Sequence, residues 1–257
     1  YCIIEAGMGG RLDATTALDY KACLITNVGL DHTEYLGDTF EQIAYEKSGI
    51  FKPNVPALTT EDKPECQKVM ELVADYMNTP LCFVDCQETD VLRWNGMTFH
   101  LNPPLYQAKN LSLALETLNV LGIWLEENEI QEVIDHFQWA GRYMVLRKDP
   151  LVLLDGAHNV HGITALTHSL KNFKGKIYFS VLKEKDAPHM IELLQTISKD
   201  ITLVEISSAR LYPLEKLGYP IITVDELISR LKDIKEDSLL CGSLYYVGEV
   251  LEKWGNV

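Results

Sequence analysis

Short apolar runs alternate with amphipathic stretches along almost the whole chain, and several of the runs break off into Gly, Asp, Glu or His. That order constrains the fold most. Parallel strands are buried on both faces and need helical crossovers, so the pattern predicts an α/β protein with a largely parallel sheet. Strands are expected at 1–4, 22–26, 55–59 and 81–84, with helices at 40–48 and 64–77. Asp38 or Thr39 caps the first helix and Gly49 stops it, while Pro64 sits in the first turn of the second. Asn95-Gly96 between runs 91–94 and 97–101 signals a type I′ hairpin, and helices follow at 107–121 and 128–137.

A second unit begins near Gly141. Strands 143–147 and 151–154 flank Asp149-Pro150 as antiparallel neighbours. Helices at 161–172, 187–198, 225–234 and 244–254 then alternate with strands at 176–180, 201–205, 219–223 and 238–241, which describes an open α/β sheet. A buried strand at 1–4 requires pairing partners on both sides, so the chain is expected to be the later part of something longer.

Composition narrows the class. In 257 residues, 47% are hydrophobic and 23% charged, as in an ordinary soluble globular protein. With 23 Lys and Arg against 37 Asp and Glu, the net charge of −14 repels a phosphate backbone, and nucleic acid is not expected as a partner. An anionic ligand must therefore be met locally, by metal, Arg, Lys or backbone amides. The six cysteines contain no CxxC pair and lie in apolar runs, which points to a reducing, cytoplasmic setting. No apolar run approaches the roughly 18–20 residues that span a bilayer, so no membrane partner is expected.

The chemistry-bearing residues follow the strands. Glu5 leads into Ala6-Gly7-Met8-Gly9-Gly10-Arg11-Leu12-Asp13, a carboxylate at a strand end followed by a loop whose glycines permit close backbone approach. This is neither a GxGxxG fingerprint nor a Walker A loop, and no GxxxxGK[ST] occurs in the chain. Asn27-Val28-Gly29-Leu30-Asp31-His32 repeats the pattern: either Asp31 and His32 cap a helix, or His32 meets a metal. Lys47 closes the following helix, where a cation ordinarily answers the helix dipole. In the second unit, 151–154 runs into Asp155-Gly156-Ala157-His158-Asn159, and Gly141-Arg142 offers a guanidinium for a phosphate. His158 and His161 have HxxH spacing without an evident third ligand, and Lys183-Glu184-Lys185-Asp186 follows a strand without an assignable role.

Taken together, these motifs resemble the folylpolyglutamate synthase and dihydrofolate synthase family of the Mur ligase superfamily. The matching stretches are 4–15, 29–37 and 46–50, then Gly141-Arg142, Asp155-Gly156-Ala157-His158-Asn159 and Gly242-Ser243-Leu244-Tyr245, in family order. Thr16, Ser48 and Val160 depart mildly from the family pattern, and the P-loop is the large departure. The resemblance implies the remainder of a P-loop-type central domain over 1–139 and a Rossmann-like carboxyl-terminal domain over 140–257. It implies an ATP-dependent ligase that phosphorylates a folate carboxylate and joins it to L-glutamate, with dihydropteroate as a further acceptor. It also implies a cytoplasmic monomer using ATP and Mg²⁺, with room for a second cation.

Residue by residue, the resemblance makes Glu5 and His32 metal ligands near the γ-phosphate and Lys47 a carboxylated lysine. Asn110 is the implied adenine contact, Arg142 the phosphate contact across the domain junction and Asp155 the ribose or nucleotide contact. His158 and Ser243 lie near the nucleotide and the incoming glutamate, and Arg11 and Asp13 shape the folate side. Without a P-loop the chain by itself is expected not to hydrolyse ATP. Two alternatives remain at this point: a Mur ligase acting on a UDP-linked peptidoglycan precursor, and a non-catalytic nucleotide-binding remnant.

Overall fold

The structure is a computed structural model that describes residues 1–86, 89–102 and 104–255. The chain divides into two compact units, Tyr1–Asp135 and His136–Val257.

The first unit holds a parallel sheet of three strands in the order β1 (Cys23–Ile25), β2 (Ala57–Thr59), β3 (Leu81–Phe83). A single turn of helix, α1 (Thr33–Leu36), precedes α2 (Phe40–Ser48), and α3 (Pro64–Met77) links β2 to β3. Thr39 and Gln42 close a reciprocal capping box at the start of α2, satisfying two amides that the first turn leaves unpaired. Ile43 and Ala44 of α2 and Cys66, Met70 and Ala74 of α3 bury against Cys23, Ile25 and Ala57 of the sheet. The hairpin β4 (Val91–Trp94) and β5 (Met97–His100) turns at Asn95 and Gly96, whose φ values of 46° and 82° are the paired positive angles of a type I′ turn. Leu92 and Phe99 of the hairpin pack on α4 (Gln107–Val120) and α5 (Glu127–His136) through Leu115 and Ile130.

Residues 1–4 correct the sequence reading. They form no strand, and Tyr1 and Ile3 are 100% and 94% exposed. A parallel strand is held by ladder bonds to its neighbours, and among the described residues no strand pairs with this segment. The cysteines divide likewise: Cys23, Cys66 and Cys241 are buried, whereas Cys2 and Cys82 are exposed.

The second unit carries a six-stranded sheet in the order β10-β9-β8-β11-β7-β6. Its strands are β6 (Met144–Lys148), β7 (Leu151–Asp155), β8 (Lys176–Phe179), β9 (Ile201–Glu205), β10 (Ile221–Thr223) and β11 (Ser238–Cys241). Only β6 runs antiparallel, pairing with β7 through a register shift between Val145 and Arg147. Helices α6 (Val160–Ser169) and α7 (Ala187–Leu194) bury on one face with Phe179, Leu203 and Cys241. Helices α8 (Val224–Asp233) and α9 (Leu244–Trp254) bury on the other with Tyr178, Val204 and Leu240. The chain after β11 therefore leaves toward one face while the chains after its neighbours β7 and β8 leave toward the other. A crevice opens at the carboxyl ends of strands where the crossover direction changes in this way. Among the described residues no helix is long and apolar enough to cross a membrane.

Candidate functional site

In the first unit the Gly-rich loop docks on the carboxyl end of α2. Arg11 N donates to the Glu46 carbonyl at 2.7 Å, and the Arg11 guanidinium reaches the Glu46 carboxylate with Nε at 2.9 Å and a second nitrogen at 2.7 Å. The same guanidinium lies 5.6 Å from the centre of the Tyr45 ring. Gly10 and Gly49 make this approach possible. A Cβ on Gly10 would stand 2.7 Å from the Lys47 carbonyl, and one on Gly49 only 2.2 Å from the Arg11 Cα.

Asp13 ties the loop to itself. Its carboxylate accepts from Gly7 N at 2.8 Å, Met8 N at 3.1 Å, Thr15 N at 3.0 Å and Thr15 Oγ1 at 2.6 Å. Those bonds, the Thr15 hydroxyl foremost, hold the carboxyl down to about 2. Arg11 and Asp13, the expected folate-side residues, are thus engaged in building the loop that presents Gly7 to Gly10.

Lys47 is half-buried at the end of α2, and burial lowers its pKa against the opposing pull of Asp31. Lowering favours the neutral amine, the form able to attack CO₂. Asp31 also orders the next segment, since its Oδ1 accepts the His32 amide at 2.9 Å. His32 has the left-handed backbone angle of φ 52° and stands at the N-cap position of α1, its carbonyl accepting Tyr35 N at 2.9 Å and Leu36 N at 3.0 Å while its side chain makes no cap bond. Its side chain and that of Glu5 are both exposed. Among the described residues no group of three or more His, Cys, Asp or Glu is arranged to hold a metal. One carboxylate, one imidazole and one ammonium also make a poor donor set for a hard cation that takes six oxygens. The described residues therefore do not amount to a Mg²⁺ site by themselves.

Asn110 is exposed on the first turn of α4, where its amide donates to Gln107 Oε1 at 3.0 Å. Its neighbour Lys109 pairs with Asp62 at 2.7 Å and holds that carboxyl below its usual range.

The second unit gathers its expected residues at the crevice beside β11. Asp155 ends β7 in register with Cys241, which ends β11. The Asp155 side chain is buried and takes one amide on each oxygen, Tyr143 N at 2.7 Å and Ala157 N at 2.7 Å. Burial pushes its pKa up, while those amides and the Arg142 and His158 charges pull the other way. Tyr143, at φ 45°, is held in a left-handed conformation directly after Arg142. Gly156 admits both the Arg142 guanidinium and α9, for a Cβ there would meet Arg142 Nη1 at 2.5 Å and Leu244 Cδ2 at 2.4 Å.

His158 Nδ1 lies 2.8 Å from the Gly156 carbonyl, which makes that nitrogen the donor and fixes the ring's orientation. Ser243 is 1% exposed and caps α9, accepting from Tyr245 N at 3.2 Å. Gly242 before it has φ 116°, and a Cβ there would strike the Ser180 carbonyl at 2.2 Å. In the 183–186 stretch, Glu184 pairs with Arg210 and Asp186 caps α7. The sequence reading overlooked Glu61, a fully buried carboxylate after β2 that belongs to no recognisable motif.

Comparison with known proteins identifies relatives of the chain. Residues 1–104 match the family model of the Mur ligase middle domain. The chain is 28% identical to the dihydrofolate synthase/folylpolyglutamate synthase of Bacillus subtilis, covering 98% of itself and 67% of that protein. It is 30% identical to the Escherichia coli protein of the same description, covering 97% of itself and 64% of the relative. Among solved structures, E. coli FolC in complex with ADP superposes with a TM-score of 0.83 at 27% identity, over 98% of this chain and 66% of that one. A bifunctional folylpolyglutamate synthase/dihydrofolate synthase with Mn, AMPPNP and L-glutamate bound gives a TM-score of 0.82 at 26% identity, over 97% of this chain and 66% of that one. The chain thus spans about two thirds of the length of these relatives.

Proposed function

The chain belongs to the folylpolyglutamate synthase/dihydrofolate synthase family of the Mur ligase superfamily, and from that premise we propose that the natural protein is an ATP-dependent amide ligase joining L-glutamate to the γ-carboxylate of a folate. The observation that carries the reading is the clustering of Arg142, Asp155, His158 and Ser243 at the carboxyl ends of β7 and β11, where open α/β sheets receive ligands. The units Tyr1–Asp135 and His136–Val257 would correspond to the central-domain remainder and the carboxyl-terminal domain. The relatives compared above are folate enzymes, so a UDP-linked peptidoglycan precursor is not favoured as substrate.

The chemistry proceeds in two balanced steps. A folate carboxylate oxygen attacks the γ-phosphorus of ATP, giving an acyl phosphate and ADP. The glutamate amine then attacks the acyl carbon, a proton leaves the nitrogen, and inorganic phosphate departs as the amide forms. A divalent cation, as in the Mn-bound relative, would neutralise phosphate charge when present.

In this reading Arg142, presented by the strained Tyr143 turn, contacts phosphate oxygens, and Asp155 and Asn110 contact the nucleotide. His158, its ring oriented by the Gly156 carbonyl, faces the incoming amine, and Ser243 positions the glutamate. Arg11 and Asp13 border the folate side. Glu5 and His32 lie toward the γ-phosphate, with Lys47 joining them once its amine has become a carbamate. The setting proposed is a cytoplasmic monomer, with dihydropteroate as a second acceptor.

ADP release by the natural full-length protein is the test. Release that requires both a folate and L-glutamate is expected. Release that ignores either substrate, or that requires a UDP-linked peptide, would overturn the reading.

A further inference from the structure

Four residues, Thr60 to Lys63, connect β2 to α3, and their polar atoms reach beyond this turn. Thr60 Oγ1 donates to the Thr26 carbonyl at 2.6 Å, just past the end of β1. Glu61 has a side chain with no exposure. Its Oε2 accepts the Val28 amide. Its Oε1 accepts Asp62 N at 3.1 Å, Lys63 N at 2.8 Å and Lys63 Nζ at 3.2 Å. Lys63 Nζ in turn donates to the Val28 carbonyl at 3.0 Å and lies 5.3 Å from the centre of the Phe40 ring.

One ion pair therefore holds both main-chain polar groups of Val28, itself fully buried, four residues before His32. Asp62 is engaged elsewhere, accepting from Lys109 on α4 at 2.7 Å, one residue before Asn110. A buried carboxylate is costly unless well paired, and an ordinary N-cap side chain would suffice to hold a strand-to-helix turn. Here the charge acts on a segment where the β1 ladder has already ended.

We propose that Glu61 and Lys63 are positioning residues of the ligase: by holding the Val28 backbone they fix the Gly29–His32 segment before ATP arrives, while Asp62, paired with Lys109 at the surface, takes no part. The identity of what that segment binds rests on the function proposed above, whereas the clamp rests on the hydrogen bonds alone. Neither needs to touch substrate.

The test compares the natural full-length protein with its E61Q, K63M and D62N variants by residue-resolved amide exchange and by steady-state kinetics in ATP. In E61Q and K63M, exchange at Val28 and through 29–32 should rise at least about tenfold while β3 and the second half of α3 keep wild-type rates. KM for ATP should rise on the order of tenfold, with kcat changed less, because misplacement by an ångström is enough for losses of that size. D62N should change KM by no more than about threefold, since the exposed Asp62 forms a surface pair. K63R, which keeps a cationic donor, should recover most of the KM loss.

Wild-type exchange at 28–32 in both E61Q and K63M would overturn the proposal, as would faster exchange spread evenly over the first unit. If the wild-type protein shows no folate- and glutamate-dependent turnover, the function proposed above fails. The clamp is then decided by the exchange pattern and by ATP affinity measured in the same variants.

Discussion

Four hydrogen bonds converge on the Asp13 carboxylate, two of them from the amides of Gly7 and Met8. Its folded pKa of about 2 lies below the unfolded value near 3.9, so its contribution is complete above about pH 4 and is lost as pH falls toward 2. The Gly7 and Met8 amide resonances should therefore stay unchanged from pH 7 to pH 4 and shift only in stronger acid. In D13N they should be displaced at every pH. An acid transition near pH 4 in the wild type would contradict the assignment. Lys47 leads to a second outcome at this scale. Burial lowers its pKa, which enlarges the fraction of free amine available to CO₂. Protein supplied with ¹³C-labelled bicarbonate should show a carbamate carbon resonance that K47M lacks, and K47M should lose more than about tenfold in ligase rate. A wild-type spectrum without that resonance would remove Lys47 from the proposed phosphate end of the site.

Elements carry the next set of consequences. Ser243 caps α9 from a buried position, so S243A should destabilise the second unit by about 1 kcal/mol, measured by urea unfolding. S243A should also raise KM for glutamate, and a loss of stability without that rise would make Ser243 a cap only. Gly49 has an ordinary backbone angle, yet its missing Cβ leaves room for the Arg11 backbone. G49A should therefore cost about 1–3 kcal/mol through overpacking.

The sequence exposed elements with local signals. Helix 40–48 and helix 64–77 match α2 and α3 residue for residue, because Thr39 with Gln42 and Pro64 mark their starts. Asn95-Gly96 gave the hairpin for the same reason. Strand 1–4 was not legible as coil, since apolar content cannot report whether a ladder partner exists. Helix 187–198 overshoots α7 by four residues, because the amphipathic pattern continues past Leu194 while the chain goes over to turns in which Thr196 N and Ile197 N bond three residues back. Among site residues, Asp155 and His158 stood out by following an apolar run, and Arg142 by following Gly141 where the second unit begins. Glu61 did not, because its role depends on Val28, a residue 33 positions away in the chain. The left-handed turn at His32 was equally hidden, as that angle is imposed by its surroundings and not by a glycine.

At the scale of the molecule, the second unit contains both of its hydrophobic clusters within its own sequence. A fragment 136–257 should accordingly fold alone and unfold cooperatively, and an undispersed amide spectrum would show that it leans on the rest of the chain. The 257-residue chain by itself should release no phosphate from ATP, since it holds no GxxxxGK[ST] loop, and hydrolysis above a heat-treated control would refute this.

The strand order of the six-stranded sheet has a practical consequence. Every residue assigned to chemistry in the second unit follows β7 or β11 or precedes β6, all at one rim of the sheet. The turns at the opposite rim, such as Lys199-Asp200 before β9 and the one at Gly218 before β10, are free of those duties, though the left-handed φ of 75° reserves position 218 itself for glycine. That rim is where mutations can accumulate without selection noticing, and where an affinity tag, a dye or an inserted peptide belongs when the enzyme is to be watched without being altered.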